Sequence, residues 1–365
     1  MSYDVIIIGG GVIGLSIARS LAVGGLKNVC LIERNQLARE ASFAAAGMLA
    51  PQAEANSRDE FFDLLCQSRD LFPAFADALK EESGIDIELD QTGTLYLAFS
   101  EHDQIEIDAR YEWQSRSGLP VERMTPIDAR RLEPCIAPNI SGALRFPLDI
   151  QVENRRLLNA LTHSVERLGV KIMTGENVEN IHHADKRLKG VPTSAGILES
   201  PIVILAAGCW TTSITPNIRI EPVRGQLVCL RAAPAVTHHV IYSPRGYIVP
   251  RGDGRLLAGS TSESAGFVKE VTVGGVASIL KNATELAPTI STLPITDLWA
   301  GLRPKAADGL PVLGPCGEID GLIYATGHYR NGILLAPITG ELIARTVIQG
   351  TIPPALAPFS PDRFR

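Results

Sequence analysis

No two of the six cysteines lie close enough in sequence to form a metal knuckle or a CxxC redox motif. Cys30, Cys66, Cys135, Cys209, Cys229 and Cys316 are scattered along the chain and read as separate reduced thiols, mostly buried, with no metal site expected. Positive charge is not in excess either. Thirty-four Lys and Arg face 40 Asp and Glu, a net charge of -6, so there is no general footprint for a polyanion and nucleic acid is not an expected partner. No apolar run approaches the roughly 18 residues of a membrane helix. The opening Met1-Ser2-Tyr3-Asp4 lacks a basic n-region, and the apolar run behind it stops at Gly9, so a cytoplasmic location without membrane attachment is expected. Internal repeats, low-complexity tracts and Pro-rich linkers are missing too. Ordinary shares of hydrophobic (45%) and charged (20%) residues mark a globular chain. Its 365 residues exceed an average domain of roughly 100 to 200 residues, which predicts two domains or one large domain with an insertion.

Glycine is what the chain has in excess, 33 residues against roughly 7% in ordinary chains. Three of them sit in a patterned place. Residues 3–8 read as a buried β-branched strand, 12–21 as an Ala- and Leu-containing helix and 28–33 as a second strand, a βαβ opening. Gly9, Gly11 and Gly14 satisfy GxGxxG between strand and helix, and Glu33 closes the second strand about 20 residues on. The first glycine makes the tight turn, the second admits a pyrophosphate and the third lets helix pack on strand. The helix N-terminus attracts phosphate and the carboxylate accepts ribose hydroxyls. A Gly-rich turn without a ligand is the competing reading, and the full order of elements disfavours it. An acid at position 33 disfavours NADP, whereas NAD and FAD both fit this fingerprint.

Farther along, residues 59–83 carry Phe62, Leu65, Leu71, Phe75 and Leu79 at helical spacing, 93–99 alternates like a strand, and 101–117 and 154–168 read as helices. Strands are expected at 170–173, 178–182 and 197–205, as a return to the nucleotide-binding sheet, then at 225–230, 240–242, 247–250 and 256–259. A helix at 275–286, a strand at 322–326 and a helix from about 332 to 348 complete the chain.

Several stretches together resemble one family: AAAGM at 44–48, ILAAGCW at 204–210, YIVPR at 247–251, WAGLRP at 299–304, DGLP at 308–311 and GHYRNGILLAP at 327–337. They are similar to the D-amino-acid oxidase family of FAD proteins, over almost the whole chain from residue 6 to about 348. The resemblance implies an α/β fold with a Rossmann-like FAD domain of the glutathione-reductase type. An interleaved mixed α+β substrate domain would be built on an antiparallel sheet. The FAD domain would comprise 1–87, 148–220 and 304–365, and the substrate domain 88–147 and 221–303. FAD would lie extended and noncovalent. Gly9, Gly11, Ile13, Gly14, Glu33 and Arg34 would hold its ADP half, with Ala41 and Ser42 near the pyrophosphate and Val178 offering backbone to the adenine. Ala46, Gly47 and Met48 would lie near the isoalloxazine. His328, Tyr329, Arg330, Asn331, Gly332, Ile333 and Leu334 would meet the flavin's pyrimidine end, where amides at the start of the last helix can stabilise the negative charge of reduction.

By the same resemblance Arg303 binds a substrate carboxylate, a role that suits its planar fork, and Tyr247 adds a hydrogen bond. Met48 belongs to a small apolar wall, and Arg330 is a possible second pocket arginine, with a flavin-side role competing. Arg245 and Ser262 stand where family members can carry His and Met, so both enter as pocket residues that alter its size or polarity. The implied reaction is oxidative deamination of glycine, sarcosine and small D-amino acids by hydride transfer from Cα to flavin. It would yield glyoxylate or another 2-oxo acid, ammonia or an amine, and hydrogen peroxide from molecular oxygen, and would serve thiamine thiazole synthesis. A homo-oligomer, commonly a tetramer in the family, is implied as well. A related dehydrogenase with a non-oxygen acceptor and a nonenzymatic flavin-binding subunit are the alternatives.

Other candidate chemistry gives way to plainer readings. Adjacent residues on a strand point to opposite faces, so His182-His183 and His238-His239 read as solvated strand-end or loop histidines, not metal ligands. Cys316 lacks the surroundings of a covalent flavin attachment. No Ser-His-Asp arrangement or paired carboxylates emerge from motif spacing, consistent with a hydride mechanism that needs no carbon-acid base.

Overall fold

The computed structural model describes residues 2–365. Its opening is the expected βαβ unit: Val5–Ile8, Val12–Val23 and Val29–Glu33, with the two strands parallel. They lie inside a six-stranded sheet ordered Val312–Pro315, Leu322–Thr326, Ile202–Leu205, Val5–Ile8, Val29–Glu33, Lys171–Thr174. All neighbours are parallel except the first pair. A parallel sheet needs cover on both faces, which is why its strands are continuous apolar runs. Val5, Ile7, Leu31 and Ile204 join one core with the helices Val12–Val23, Glu60–Ser83, Asn154–Arg167 and Ala336–Gln349. Ile6, Ile8, Ile32 and Leu205 face the opposite way into a second core. That core is closed by Leu188, Val191 and Leu198 of a three-stranded antiparallel sheet, His182–Ala184, Arg187–Thr193 and Gly196–Leu198.

The other large sheet has eight strands in the order Ile295–Ala306, Ile220–Arg231, Arg255–Gly259, Gly246–Pro250, Val240–Ser243, Thr94–Ala98, Gly142–Phe146, Glu122–Met124. It is antiparallel except where Val240–Ser243 runs parallel to Thr94–Ala98. The helix Val273–Leu286 packs Ile279, Ala283 and Leu286 onto one face. A cavity lined by residues of both sheets and by the Gly9 to Ile13 loop lies between them.

Four local expectations change. Residues 178–182 do not form a strand: Val178 lies in an irregular segment beside the cavity, and strand structure begins only at His182. The single strand expected over 197–205 divides around Ser200 and Pro201 into Gly196–Leu198 and Ile202–Leu205, which serve different sheets. The last helix begins at Ala336, not near 332. A hydrogen-bonded turn precedes it, in which the Leu335 amide donates to the Asn331 carbonyl at 2.8 Å. Finally, His239 is not solvated. It is buried with its Nδ1 2.6 Å from the buried Glu133 carboxylate, which also accepts the His238 and His239 amides. The strand Ile295–Ala306 runs unbroken through the expected domain boundary at 303/304. All six cysteines are free and all but Cys66 are buried. No helix among the described residues is long and apolar enough to cross a membrane.

Candidate active site

Gly9 leaves the first strand at φ 110°, a backbone state open to glycine at little cost. Its amide is taken by the Ile32 carbonyl at 2.8 Å, and the Gly10 amide by Glu33 Oε2 at 2.8 Å. A Cβ at Gly14 would overlap the Gly9 carbonyl, so helix and strand approach this closely only with glycine there. The Val12 amide donates to Ser42 Oγ at 3.1 Å. Among the described residues the amides of Gly11, Ile13 and Gly14 find no protein acceptor. Unfilled donors at a helix N-terminus form an anion site. Glu33 also accepts the Asn35 amide through Oε1 at 3.1 Å, which fixes its carboxylate at the strand end with lone pairs to spare.

This loop opens one cleft with about 1660 Å³ of empty space. Its near end holds Glu33, Arg34, Glu40, Glu176, Asn177, Val178 and Trp210. The Arg34 guanidinium lies 3.5 Å above the Trp210 ring and pairs with Glu40 at 2.7 Å. The middle is walled by Ala44, Ala45, Ala46, Gly47 and Met48, and the far end by Tyr247, Arg303, Arg330 and the His328–Ile333 turn. That turn supplies a second set of open donors, for the amides of Gly332, Ile333 and Leu334 find no protein acceptor among the described residues. Beside it, burial pushes the His328 imidazole down to about 3, so it stays neutral, with Nε2 3.1 Å from Thr339 Oγ1.

Arg303 projects from the strand Ile295–Ala306 over Gly225, where any Cβ would overlap its guanidinium. Nη1 donates to the Thr261 carbonyl at 3.1 Å and Nη2 to Ser260 Oγ at 2.7 Å. Both acceptors are neutral, and no carboxylate lies within ion-pair distance of Arg303 among the described residues. Tyr247 crosses the neighbouring Gly259, again where a Cβ would clash with the ring. It stacks on Tyr242, with centroids 6.5 Å apart and planes 12° apart. Arg330 is paired, with Nη2 3.3 Å from Glu54 Oε1 and 3.3 Å from Tyr242 Oη. Glu54 raises the Arg330 pKa, and burial raises that of Tyr242 to about 12. The cleft is therefore elongated, lined by backbone donors at both ends and apolar in its middle. It carries one uncompensated guanidinium beside a tyrosine hydroxyl.

A dinucleotide bearing a flat ring system fits that lining: open amides for pyrophosphate at Gly11 and Ile13, Glu33 for ribose, methyl groups along the middle and open amides for an electron-rich ring edge at 332–334. The family comparison decides which dinucleotide. A family model described as FAD dependent oxidoreductase, DAO, matches residues 4–346. The chain belongs to the DAO family of FAD-dependent oxidoreductases. FAD is accordingly its cofactor. The chain is 36% identical over 367 residues to the glycine oxidase of Geobacillus kaustophilus, covering 99% of this chain and 97% of that one. The crystal structure of that species' glycine oxidase superposes with a TM-score of 0.94, covering 98% of each chain. The bifunctional protein ThiO/ThiG of Synechocystis is likewise 36% identical over 99% of this chain, which spans 54% of that longer protein.

Most of the residues singled out from the sequence meet in this one cleft. Gly9, Gly11, Ile13, Glu33, Arg34, Ala41, Ser42, Ala46, Gly47, Met48, Val178, Tyr247, Arg303 and His328 to Ile333 all line it. Four do not. Gly14 sits behind the loop, packed on Gly9, and the Leu334 side chain is buried in the helical core. Arg245 turns the other way, pairing with Glu285 at 2.9 Å and lying 4.7 Å over the Phe99 ring. Ser262 is exposed; Ser260, two residues earlier, is the one that reaches Arg303. Glu54, which lines the cleft, and Tyr242, which meets Arg330 there, have no local sequence signal, because each acts through a partner distant in sequence. Trp210 ends the ILAAGCW stretch, but nothing in that stretch marks its contact with Arg34.

Proposed function

We propose that this FAD enzyme oxidises glycine and similarly small amino acids, sarcosine and small D-amino acids among them, to the corresponding 2-oxo acid with release of ammonia or amine. The observation that carries this reading is Arg303, a cavity guanidinium with no carboxylate partner. A planar fork with free N–H groups takes a carboxylate through two parallel charge-assisted bonds. Tyr247 Oη is placed to give a further bond. Met48 and Ala46 line the same cleft and would limit the side chain on the substrate Cα. The full-length likeness to glycine oxidases supports the same substrate class.

Bound FAD would accept a hydride from the substrate Cα and pass the electrons to oxygen, giving hydrogen peroxide. The chain's own part is to hold and orient. Arg303 and Tyr247 fix the carboxylate, so positioning carries much of the rate. The carboxylates that line the cleft are Glu33, Glu40 and Glu176 at the dinucleotide end and Glu54, tied to Arg330. None lies within ion-pair distance of Arg303, and hydride transfer would require the amine there in its neutral form. The donor amides at 332–334 and the neutral His328 suit an electron-rich ring edge.

The ThiO portion of the bifunctional relative supports a role in supplying thiamine thiazole synthesis. We further propose the division into a FAD unit, 1–87, 148–220 and 304–365, and a substrate unit, 88–147 and 221–303. We also propose that the chain acts in the cytoplasm as a homo-oligomer, with sedimentation as the check on the oligomer. The test of the function is anaerobic mixing with glycine, sarcosine, D-alanine and D-proline: the flavin should bleach with at least glycine, and on admission of air one peroxide should form per amine oxidised.

A further inference from the structure

Behind the apolar middle of the cleft lies a buried arginine that the reaction above does not use. Arg251 follows the strand Gly246–Pro250 and is 7% exposed. Its Nη2 donates to the Ala46 carbonyl at 2.5 Å, and Nη1 to Gln151 Oε1 at 2.9 Å. Asn154, 3.5 Å from the same guanidinium, donates its Nδ2 to the Ser42 and Phe43 carbonyls at 2.9 and 3.1 Å. Trp299 Nε1 takes the Ala44 carbonyl at 3.1 Å, and the Val152 amide takes that of Gly47 at 2.9 Å. None of these donors belongs to the cleft wall. The carbonyl oxygens of Ser42, Phe43, Ala44, Ala46 and Gly47 are therefore drawn to the far side of the wall. The methyl groups of Ala44, Ala45 and Ala46 are left to line the cleft.

The same arginine has no direct countercharge, although Glu153, Glu88 and Asp253 favour its charge from farther off and Arg255 opposes it. No carboxylate lies within ion-pair distance of it among the described residues, and its Nε has no partner. The nearby carboxylates are committed: Glu153 to Arg255 at 3.3 Å and Glu88 to Arg156 at 3.3 Å. Asp90 accepts from Gln151 Nε2 at 2.8 Å and so sits one residue removed. Burial lowers the guanidinium to about 10, still protonated at neutral pH. A buried cation beside a dry wall acts over a longer range than one in water.

We infer that Arg251 is a positioning residue for the flavin: it holds the 42–47 wall with its carbonyls turned away, and its unpaired charge favours the reduced, electron-rich ring. The inference rests on the FAD-enzyme reading, but its test does not need substrate, since the potential can be set with chemical reductant and reference dyes. Three variants separate the two roles. Arg251→Met should weaken FAD binding at least tenfold and shift the equilibrium toward oxidised flavin about tenfold, about 30 mV for a two-electron couple. Arg251→Lys keeps the charge and loses the fork, so it should weaken FAD binding while restoring most of the potential. The paired exchange Gln151→Glu with Asp90→Asn moves one negative charge onto the Arg251 guanidinium without removing any bonded atom pair. It should keep FAD affinity within twofold and lower the potential as Arg251→Met does, and it decides the matter should Arg251→Met fail to fold. A potential changed less than twofold in equilibrium terms by the paired exchange overturns the electrostatic role. Unaltered FAD affinity in Arg251→Lys overturns the positioning role. If the protein binds FAD but no amine reduces it, the proposed reaction fails while this inference still stands or falls on the potentials.

Discussion

Arg330 Nη2 lies 3.3 Å from Glu54 Oε1, whereas Arg303, in the same cleft, meets only a hydroxyl and a carbonyl. A third arginine of the cleft, Arg34, is paired with Glu40. Two of the three guanidinia are thus neutralised by the fold, and the one left over stands beside Tyr247. In the reaction proposed above, this distribution of charge would direct a small monocarboxylate to the Arg303 end of the cleft.

Removing the free guanidinium should be the more damaging change. Two hydrogen bonds between charged groups contribute about 3 kcal/mol or more, so Arg303→Ala should lower kcat/KM for glycine by roughly 100-fold or more. Arg303→Lys should recover a part of it, because a point charge replaces a fork. The rate of anaerobic flavin reduction at several glycine concentrations measures this directly. Near-normal reduction by Arg303→Ala would remove Arg303 from the carboxylate site.

Releasing the paired guanidinium should change selectivity instead. In Glu54→Gln, Arg330 loses its countercharge and becomes a second anion site. The pair is partly exposed, so the gain is that of a surface ion pair, about 0.5 to 1 kcal/mol. Inhibition by acetate should tighten roughly two- to fivefold, while Arg303 keeps its own contacts. Unchanged acetate inhibition would show that Glu54 does not hold Arg330 in check.

Acid sensitivity should reside partly in His328. Folding lowers its imidazole from an ordinary 6.5 to about 3 through burial. Between those values the unfolded chain binds a proton that the folded chain refuses, so stability falls as the pH drops below about 6.5, by up to about 1.4 kcal/mol per pH unit. His328→Gln, which can keep the bond to Thr339, should lose less thermal stability than the parent between pH 7 and pH 5. Parallel losses in the two proteins would contradict a neutral buried His328.

FAD should leave the protein intact on acid denaturation. Cys316 is buried and lies outside the cleft lining. Cys209, which lines the cleft, turns its Sγ to the Leu302 carbonyl at 3.3 Å, and burial pushes its thiol up to about 12, so neither offers a thiolate to the ring. All the yellow colour should appear in the supernatant. Flavin retained in the washed pellet would mean a covalent link.

The dinucleotide half of this site was legible because its physics is local. Gly9, Gly11, Gly14 and Glu33 act within one strand-turn-helix-strand unit, and the structure returns that unit with the boundaries nearly as read. The apolar runs forecast strands and helices for the same reason: a sheet buried on both faces must be written in continuous Val, Ile and Leu. The segment at Val178 is the instructive exception, since Val178 and Ile181 are buried there without forming a strand. The charge pattern was not legible. Glu54 and Arg330 are 276 residues apart in sequence, and His239 meets Glu133 at a separation of 106; neither pairing leaves a periodic trace. Ser262 is exposed, and the serine that meets Arg303 is Ser260, the first residue beyond the strand Arg255–Gly259, a placement that composition does not report.

The most direct test of the central claim is the anaerobic addition of glycine to the FAD-loaded protein, followed through the visible absorbance of the flavin. Full bleaching in the parent, with loss of most of that rate in Arg303→Ala, is the predicted result. A flavin that stays oxidised in the presence of glycine, sarcosine, D-alanine and D-proline, yet is reduced normally by dithionite, would contradict it.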